Sequence, residues 1–172
     1  MTTPPNIKSS NLLIRPLKPG EAKIFLPEML YQAVFCPPGE KIFCREAVFV
    51  SNLSMYIDGF GREHDHCLIA EVSGKPVGAI WVRLLTGKNR GYGYVDDRTP
   101  ELAIALLPEY RGKGIGTQLM EAVFALLRER KYPGVSLSVH KGNDAVRLYR
   151  RLGCQVIRET KEEYIMYFDL GT

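Results

Sequence analysis

The sequence has no long apolar run: no stretch approaches the roughly 18 apolar residues needed to span a bilayer. A membrane-embedded chain is therefore not expected. The opening MTTPPNIKSS is polar and is followed by no apolar core of a leader, so no secretory signal is expected either. Cysteine is sparse, with Cys36, Cys44, Cys67 and Cys154 showing no CxxC spacing. A chain of this size needs no disulfide framework, and a reducing, cytoplasmic setting is expected. Charge of one sign is also lacking. The net +4 comes from nine Lys/Arg against eight Asp/Glu in residues 1–86 and fourteen against eleven in residues 87–172. So even and interspersed a distribution gives no nucleic-acid face. There is no internal repeat and no low-complexity tract. What is present is a 172-residue chain, 45% hydrophobic, sized for one substantial core and short for two.

Residues 1–10 read as a flexible tail and residues 11–172 as one domain. Leu12 to Arg15 reads as a strand stopped by Pro16, and a helix begins near Glu21. Residues 32–42, with Pro37-Pro38-Gly39, read as a loop. Phe49, Leu53, Ile57 and Phe60 recur at helical spacing and predict a helix over about 44–59. Cys67–Val72 and Val77–Val82 are strands joined at Ser73-Gly74-Lys75-Pro76, and residues 86–99 form a glycine-punctuated excursion. Glu101 to Leu107 is a strand closed by Pro108. Its alternation puts Leu102, Ile104 and Leu106 on one face and Glu101, Ala103 and Ala105 on the other. A long amphipathic helix follows, with Ile115, Leu119, Val123 and Leu126/Leu127 inward. A strand at 135–139 comes next, then a helix capped by Asn143 with Ala145, Leu148 and Leu152 inward and Gly153 at its stop. Two final strands over 154–160 and 163–170 complete one mixed α/β (α+β) domain.

Arg111-Gly112-Lys113-Gly114-Ile115-Gly116-Thr117 joins a strand to a helix through three alternating glycines. Amides at such a turn are unpaired within the helix and can hold phosphate oxygens, aided by the helix dipole. Arg111 and Lys113 add positive charge there. A glycine turn without a ligand is the competing reading. A Walker A loop is excluded because no Lys-Ser or Lys-Thr pair follows the glycines, and the dinucleotide pattern fails at Thr117. The pattern that fits is RxxGxG, filled by Arg111, Gly114 and Gly116 inside Pro108-Glu109-Tyr110-Arg111-Gly112-Lys113-Gly114. A second run, Asn143-Asp144-Ala145-Val146-Arg147-Leu148-Tyr149-Arg150-Arg151-Leu152-Gly153, fits N-x-x-A-x-x-x-Y-x-x-x-G, with Cys154 in place of the aromatic residue that usually follows.

In these two motifs the chain resembles the GCN5-related N-acetyltransferase (GNAT) superfamily, over roughly residues 11–170. The resemblance implies an acyl-CoA N-acyltransferase fold: a mostly antiparallel, partly splayed mixed sheet of about seven strands flanked by about four helices. It implies acetyl-CoA as cosubstrate, with the pyrophosphate on the amides of Arg111, Gly112, Lys113, Gly114, Ile115, Gly116 and Thr117. It also implies pantetheine paired with backbone groups near Leu106 and Leu107 and touched by Asn143, and Tyr149 beside the thioester sulfur.

The chemistry of Tyr149 stands on its own as well. A phenol with a pKa near 10 is protonated at neutral pH and can give its proton to a departing thiolate. Tyr149 sits one position off the inward stripe, on the flank of the buried face; an ordinary boundary tyrosine is the alternative. Glu101, beside two alanines, is the candidate base for the incoming ammonium. A strand-end glutamate facing water is the competing reading. Adjacent Glu63, His64, Asp65, His66 and Cys67 are poorly placed to wrap one ion, so no metal is expected. Cys67 and Cys154 read as packing residues, and His140 as a loop histidine with the cleft as its alternative. Tyr31, Phe35, Phe43, Tyr92, Tyr94 and Tyr164 fall where the resemblance implies the acceptor mouth. The acceptor is expected to be a small-molecule or peptide amine, and a homodimer is left open. A non-catalytic acyl-CoA-binding module is the alternative function.

Overall fold

The computed structural model describes residues 11–40, 44–50 and 52–171. The expected tail at 1–10 and Phe43 lie outside them. The strands are β1 (Leu12–Pro16), β2 (His66–Val72), β3 (Lys75–Arg83), β4 (Glu101–Leu106), β5 (Gly134–His140), β6 (Gln155–Glu159) and β7 (Glu163–Asp169). The helices are α1 (Glu21–Ala33), α2 (Ala47–Val50), α3 (Ile115–Glu129) and α4 (Ala145–Arg151). All seven strands form one sheet in the order β1-β2-β3-β4-β5-β7-β6. Every pairing is antiparallel except β4 with β5, which are parallel and share the single register pair Glu101↔Ser136. Past that pair the two strands part, so the sheet is split on the C-terminal side of Glu101.

The alternation along β4 divides two apolar layers, one on each face. Leu102 and Leu106 join the layer under α3 and α4, where Ile115, Leu119, Val123 and Leu127 of α3 are buried. Ala105 joins Leu26, Met29 and Trp81 in the layer under α1, with Ala103 packed against it. The amphipathic α3 and the face assignment of β4 thus stand as the sequence pattern gives them. Helix α1 runs through Pro27 to Ala33, further than the loop expected from residue 32.

The helix expected over 44–59 is not there. Among the described residues the segment holds only α2 and one 3₁₀ turn at Ser54–Tyr56. Side chains of β3 fix the path of its last part. The buried guanidinium of Arg83 donates to the carbonyls of Met55 and Asp58, each at 2.8 Å, and to that of Gly59 at 3.4 Å. Its remaining donors meet Asp65 in a two-pronged pair, both contacts 2.9 Å. Trp81 Nε1–H donates to the Tyr56 carbonyl at 3.0 Å. These bonds tie residues 55–59 to β3.

Candidate active site

The phosphate-type turn is built as its glycines require. Gly112 and Gly114 have φ of 70° and 81°, the left-handed region that disfavours side chains. A Cβ placed on either would meet nothing within 4 Å, so the turn borders open space. Gly114 caps α3 with no side-chain hydrogen bond to the first-turn amides. The amides of Ile115, Gly116 and Thr117 precede the first intrahelical bond, which Gln118 N–H makes to Gly114 O at 3.3 Å. Gly116 packs on Leu148, 3.4 Å from an added Cβ, which sets α3 against α4.

The cations differ from the sequence reading. The Arg111 guanidinium turns back from the turn. Its Nε donates to Leu106 O at 3.0 Å, and Nη2 donates to the carbonyl and side-chain oxygens of Gln32 at 3.2 and 2.9 Å. Its charge therefore ties α1 to β4 and is not presented at the turn. Lys113 lies over the Tyr110 ring, 5.7 Å from its centroid. Arg151 of α4 reaches Thr117 Oγ1 at 3.3 Å and brings a positive charge to the start of α3.

Along β4 the backbone groups alternate between the two neighbours. Leu107 N–H donates to Val77 O at 2.8 Å and is committed to β3. Because Leu106 and Leu107 point opposite ways, Leu106 and Ile104 direct their backbone groups into the gap beside β5. The Leu106 carbonyl there is the one Arg111 holds. Asn143 Oδ1 accepts from Ala145 N–H at 2.9 Å, the cap expected for α4. Phe35 and His140 stack at 4.9 Å between centroids, joining the loop after α1 to the end of β5. His140 Nδ1 accepts from Gly142 N–H at 3.0 Å.

Tyr149 is more buried than its place beside the stripe suggests. Val146 and Tyr149 form the buried line of α4, while Ala145, Leu148 and Leu152 are only partly buried. Tyr149 is 7% exposed in the layer under α3, and burial pushes its phenol above the ordinary range. Gly153 at φ 96° ends α4: Cys154 N–H donates to Tyr149 O and Gly153 N–H to Arg150 O, which pins the Tyr149 backbone. Cys154 fills the next buried position, and burial pushes its thiol up to about 11, in keeping with a packing role.

Glu101 lies on the opposite face, at the point where β4 and β5 part. It is 4% exposed, so the water-facing alternative does not apply. Its Oε1 accepts from the Tyr56 hydroxyl at 2.5 Å and from Gly93 N–H at 2.8 Å. Its Oε2 is buried with no partner among the described residues. Burial pushes its pKa up to about 7, against the lowering effect of the two hydrogen bonds, with Glu163 adding to the rise. The Gly91–Gly93 segment of the excursion lies against this carboxyl. A Cβ on Gly91 would fall 2.1 Å from Oε2, and one on Gly93 would fall 2.9 Å from Oε1 and 2.7 Å from the Leu137 carbonyl carbon. Tyr56 was missed in the sequence, where it is one aromatic inside an expected helix. The paired glycines at 91 and 93 were the available signal that a backbone passes close to something.

Of the aromatics in the expected acceptor regions, Tyr92 is half-exposed and Tyr31 is covered by Arg45, 4.3 Å from its centroid. Among the described residues no group of three or more His, Cys, Asp or Glu could hold a metal, and no helix is long and apolar enough to cross a membrane. Asp65, from the metal-like run, is the buried partner of Arg83. His64 and His66 both meet the Tyr132 hydroxyl, at 2.8 and 3.2 Å.

Comparison with known proteins shows the family and the fold. The chain is 29% identical to the thialysine N-epsilon-acetyltransferase of Sus scrofa over 93% of its own length and 94% of that protein's. It is 31% identical to the Mus musculus enzyme of the same name, over 66% and 70%. Its fold matches the ribosomal-protein-S18-alanine N-acetyltransferase from Escherichia coli at TM-score 0.62 and 19% identity, covering 94% of this chain and 95% of that one. It also matches the PaiA N-acetyltransferase from Thermoplasma acidophilum in complex with coenzyme A at TM-score 0.65 and 17% identity, covering 92% and 98%. The family model for the acetyltransferase (GNAT) family matches residues 29–154, and the chain belongs to that family.

Proposed function

We propose that the chain moves an acetyl group from acetyl-CoA to an aliphatic primary amine by direct attack within a ternary complex, with Glu101 as general base and Tyr149 as general acid. The observation that carries the reading is the split between β4 and β5, with a buried carboxyl of raised pKa on one face of the sheet and a buried, protonated phenol on the other.

A phosphate-bearing donor fits what the chain offers: first-turn amides without a side-chain cap, open space over Gly112 and Gly114, and Arg151 beside Thr117. The backbone groups of Ile104 and Leu106 have no strand partner and suit the amides of a pantetheine arm; Asn143 stands at the start of α4 beside the same gap. The donor supplies an acetyl thioester, whose carbonyl an amine attacks. An aliphatic ammonium has a pKa near 10 and must first lose a proton. Glu101, ionised above about pH 7, attracts the cation and takes that proton, directly or through water, on its unpartnered oxygen. Tyr149, kept protonated by burial, gives a proton to the departing thiol sulfur. No acylated side chain is needed, and the buried Cys67 and Cys154 have thiols raised by burial, to about 12 and 11. Among the proteins compared, the thialysine N-epsilon-acetyltransferases and the ribosomal-protein-S18-alanine N-acetyltransferase are named for amine acceptors. Free amino acids with a side-chain amine, polyamines and short peptides are therefore the acceptors to try first.

Glu101→Gln and Tyr149→Phe test the roles. Each is expected to lower kcat by about a hundredfold or more, the usual worth of a positioned acid or base, with acetyl-CoA affinity by calorimetry within about threefold of wild type. Full activity in either variant removes that residue from its role.

A further inference from the structure

We propose that Tyr56 is the positioning residue of this site: it occupies one oxygen of Glu101 and thereby sets both the proton affinity and the orientation of the other. The inference rests on Glu101 being the base and extends that reading to a residue that touches no reactant.

The geometry leaves little freedom. Oε1 of Glu101 receives the Tyr56 hydroxyl at 2.5 Å and Gly93 N–H at 2.8 Å. The Tyr56 oxygen in turn accepts from Tyr92 N–H at 2.9 Å. With a backbone donor already on that oxygen, the phenolic proton is directed at the carboxyl, and burial keeps the phenol protonated. Tyr56 is itself fixed through its carbonyl, held by Trp81 Nε1–H, and through its neighbour Met55, whose carbonyl Arg83 holds. Arg83 is the residue opposite Glu101 on β3. One strand pair therefore carries both the carboxyl and the clamp on the segment that aims Tyr56 at it. Of the two carboxyl oxygens, Oε2 is left with no partner among the described residues, and only glycine at 91 permits the covering backbone: its Cβ would fall 2.7 Å from the Tyr56 hydroxyl as well as 2.1 Å from Oε2.

The titratable and charged groups around the carboxyl are few. Tyr56 comes from the 3₁₀ turn, Glu163 from β7, and Arg83 from β3 with its charge paired to Asp65. β5 contributes Ser136, paired with Glu101, and Ser138, which donates to Glu163. Against that background the Tyr56 hydrogen bond is the strongest influence favouring the ionised form, and its loss raises the pKa.

The test is a pH titration by NMR of protein labelled with ¹³C at the glutamate carboxyls, without any ligand, with the Glu101 resonance identified by its loss in Glu101→Gln. Tyr56→Phe is expected to move the Glu101 midpoint upward by roughly half to one pH unit. Replacing Tyr56 by 3-fluorotyrosine, a stronger donor of nearly the same shape, is expected to move it downward; this variant also carries the test if Tyr56→Phe does not fold. A midpoint unmoved in the folded variants overturns the proposal. The acid limb of kcat/KM with acetyl-CoA and thialysine should move with the midpoint. A limb that stays put while the midpoint moves removes Glu101 from the base role, a failure of the functional reading and not of the Tyr56 contact.

Discussion

At the scale of single residues, burial gives Glu101 and Tyr149 their character, and it has a consequence for stability. A carboxyl with a pKa of about 7 when folded and about 4.3 when unfolded binds more protons in the folded chain between those values. Its contribution to stability is fully present below the unfolded value and is lost as pH rises through the folded one. Glu101→Gln escapes that loss. Relative to wild type, the variant should gain roughly 2–3 kcal/mol between pH 5 and pH 8 in urea unfolding. The same difference at both pH values contradicts a raised carboxyl. Glu101 and Tyr149 were legible in the sequence because each rests on a local pattern: alternation along one strand, and a tyrosine at fixed spacing from Asn143 and Gly153. Tyr56 and Arg83 were not, because their partners lie 45 residues away at Glu101 and 18 residues away at Asp65. No periodicity encodes such pairs.

Among the elements, the glycine turn leaves the first amides of α3 without a side-chain cap beside open space. Gly114 must be left-handed, with φ of 81°, and any other residue there costs about 1–2 kcal/mol in backbone conformation. Its missing side chain would meet no protein atom. Gly114→Ala and Gly114→Glu therefore carry the same backbone penalty and differ mainly in bulk and charge at the amides. The glutamate variant is expected to bind acetyl-CoA at least about tenfold more weakly than the alanine variant by calorimetry. Equal affinities would place the phosphates elsewhere. The strands and α3 could be read from the sequence because alternation and a 3.6-residue stripe follow from which face is buried. The 44–59 segment could not. Its apolar spacing is helical, but its path is set by long-range contacts, with Arg83 and Trp81 holding the carbonyls of Met55, Tyr56, Asp58 and Gly59 against β3. The stripe on α4 was displaced for a related reason: with seven residues, the helix buries Val146 and Tyr149, set by the contact of Gly116 with Leu148 and the turn at Gly153.

For the whole molecule, the seven-stranded sheet is continuous except where β4 leaves β5, and that single parallel contact ends at Glu101. The split connects the two faces of the sheet, with the turn at 111–116 on one side and the Tyr56, Gly91 and Gly93 cluster on the other. A donor entering along β4 and an amine arriving from the α1 side would meet at the split, between the proposed acid and the proposed base. The most direct test follows thiol release and acetylated product by mass spectrometry. The protein is mixed with acetyl-CoA and a panel of thialysine, lysine, polyamines, aminoglycosides and short peptides. Thiol release should require an amine, yield an N-acetyl product from at least one of them, and show a kcat/KM that rises with pH through about 7 and onward as free amine accumulates. Tight acetyl-CoA binding with no acetylated amine anywhere in the panel would contradict catalysis and leave an acyl-CoA-binding module in its place.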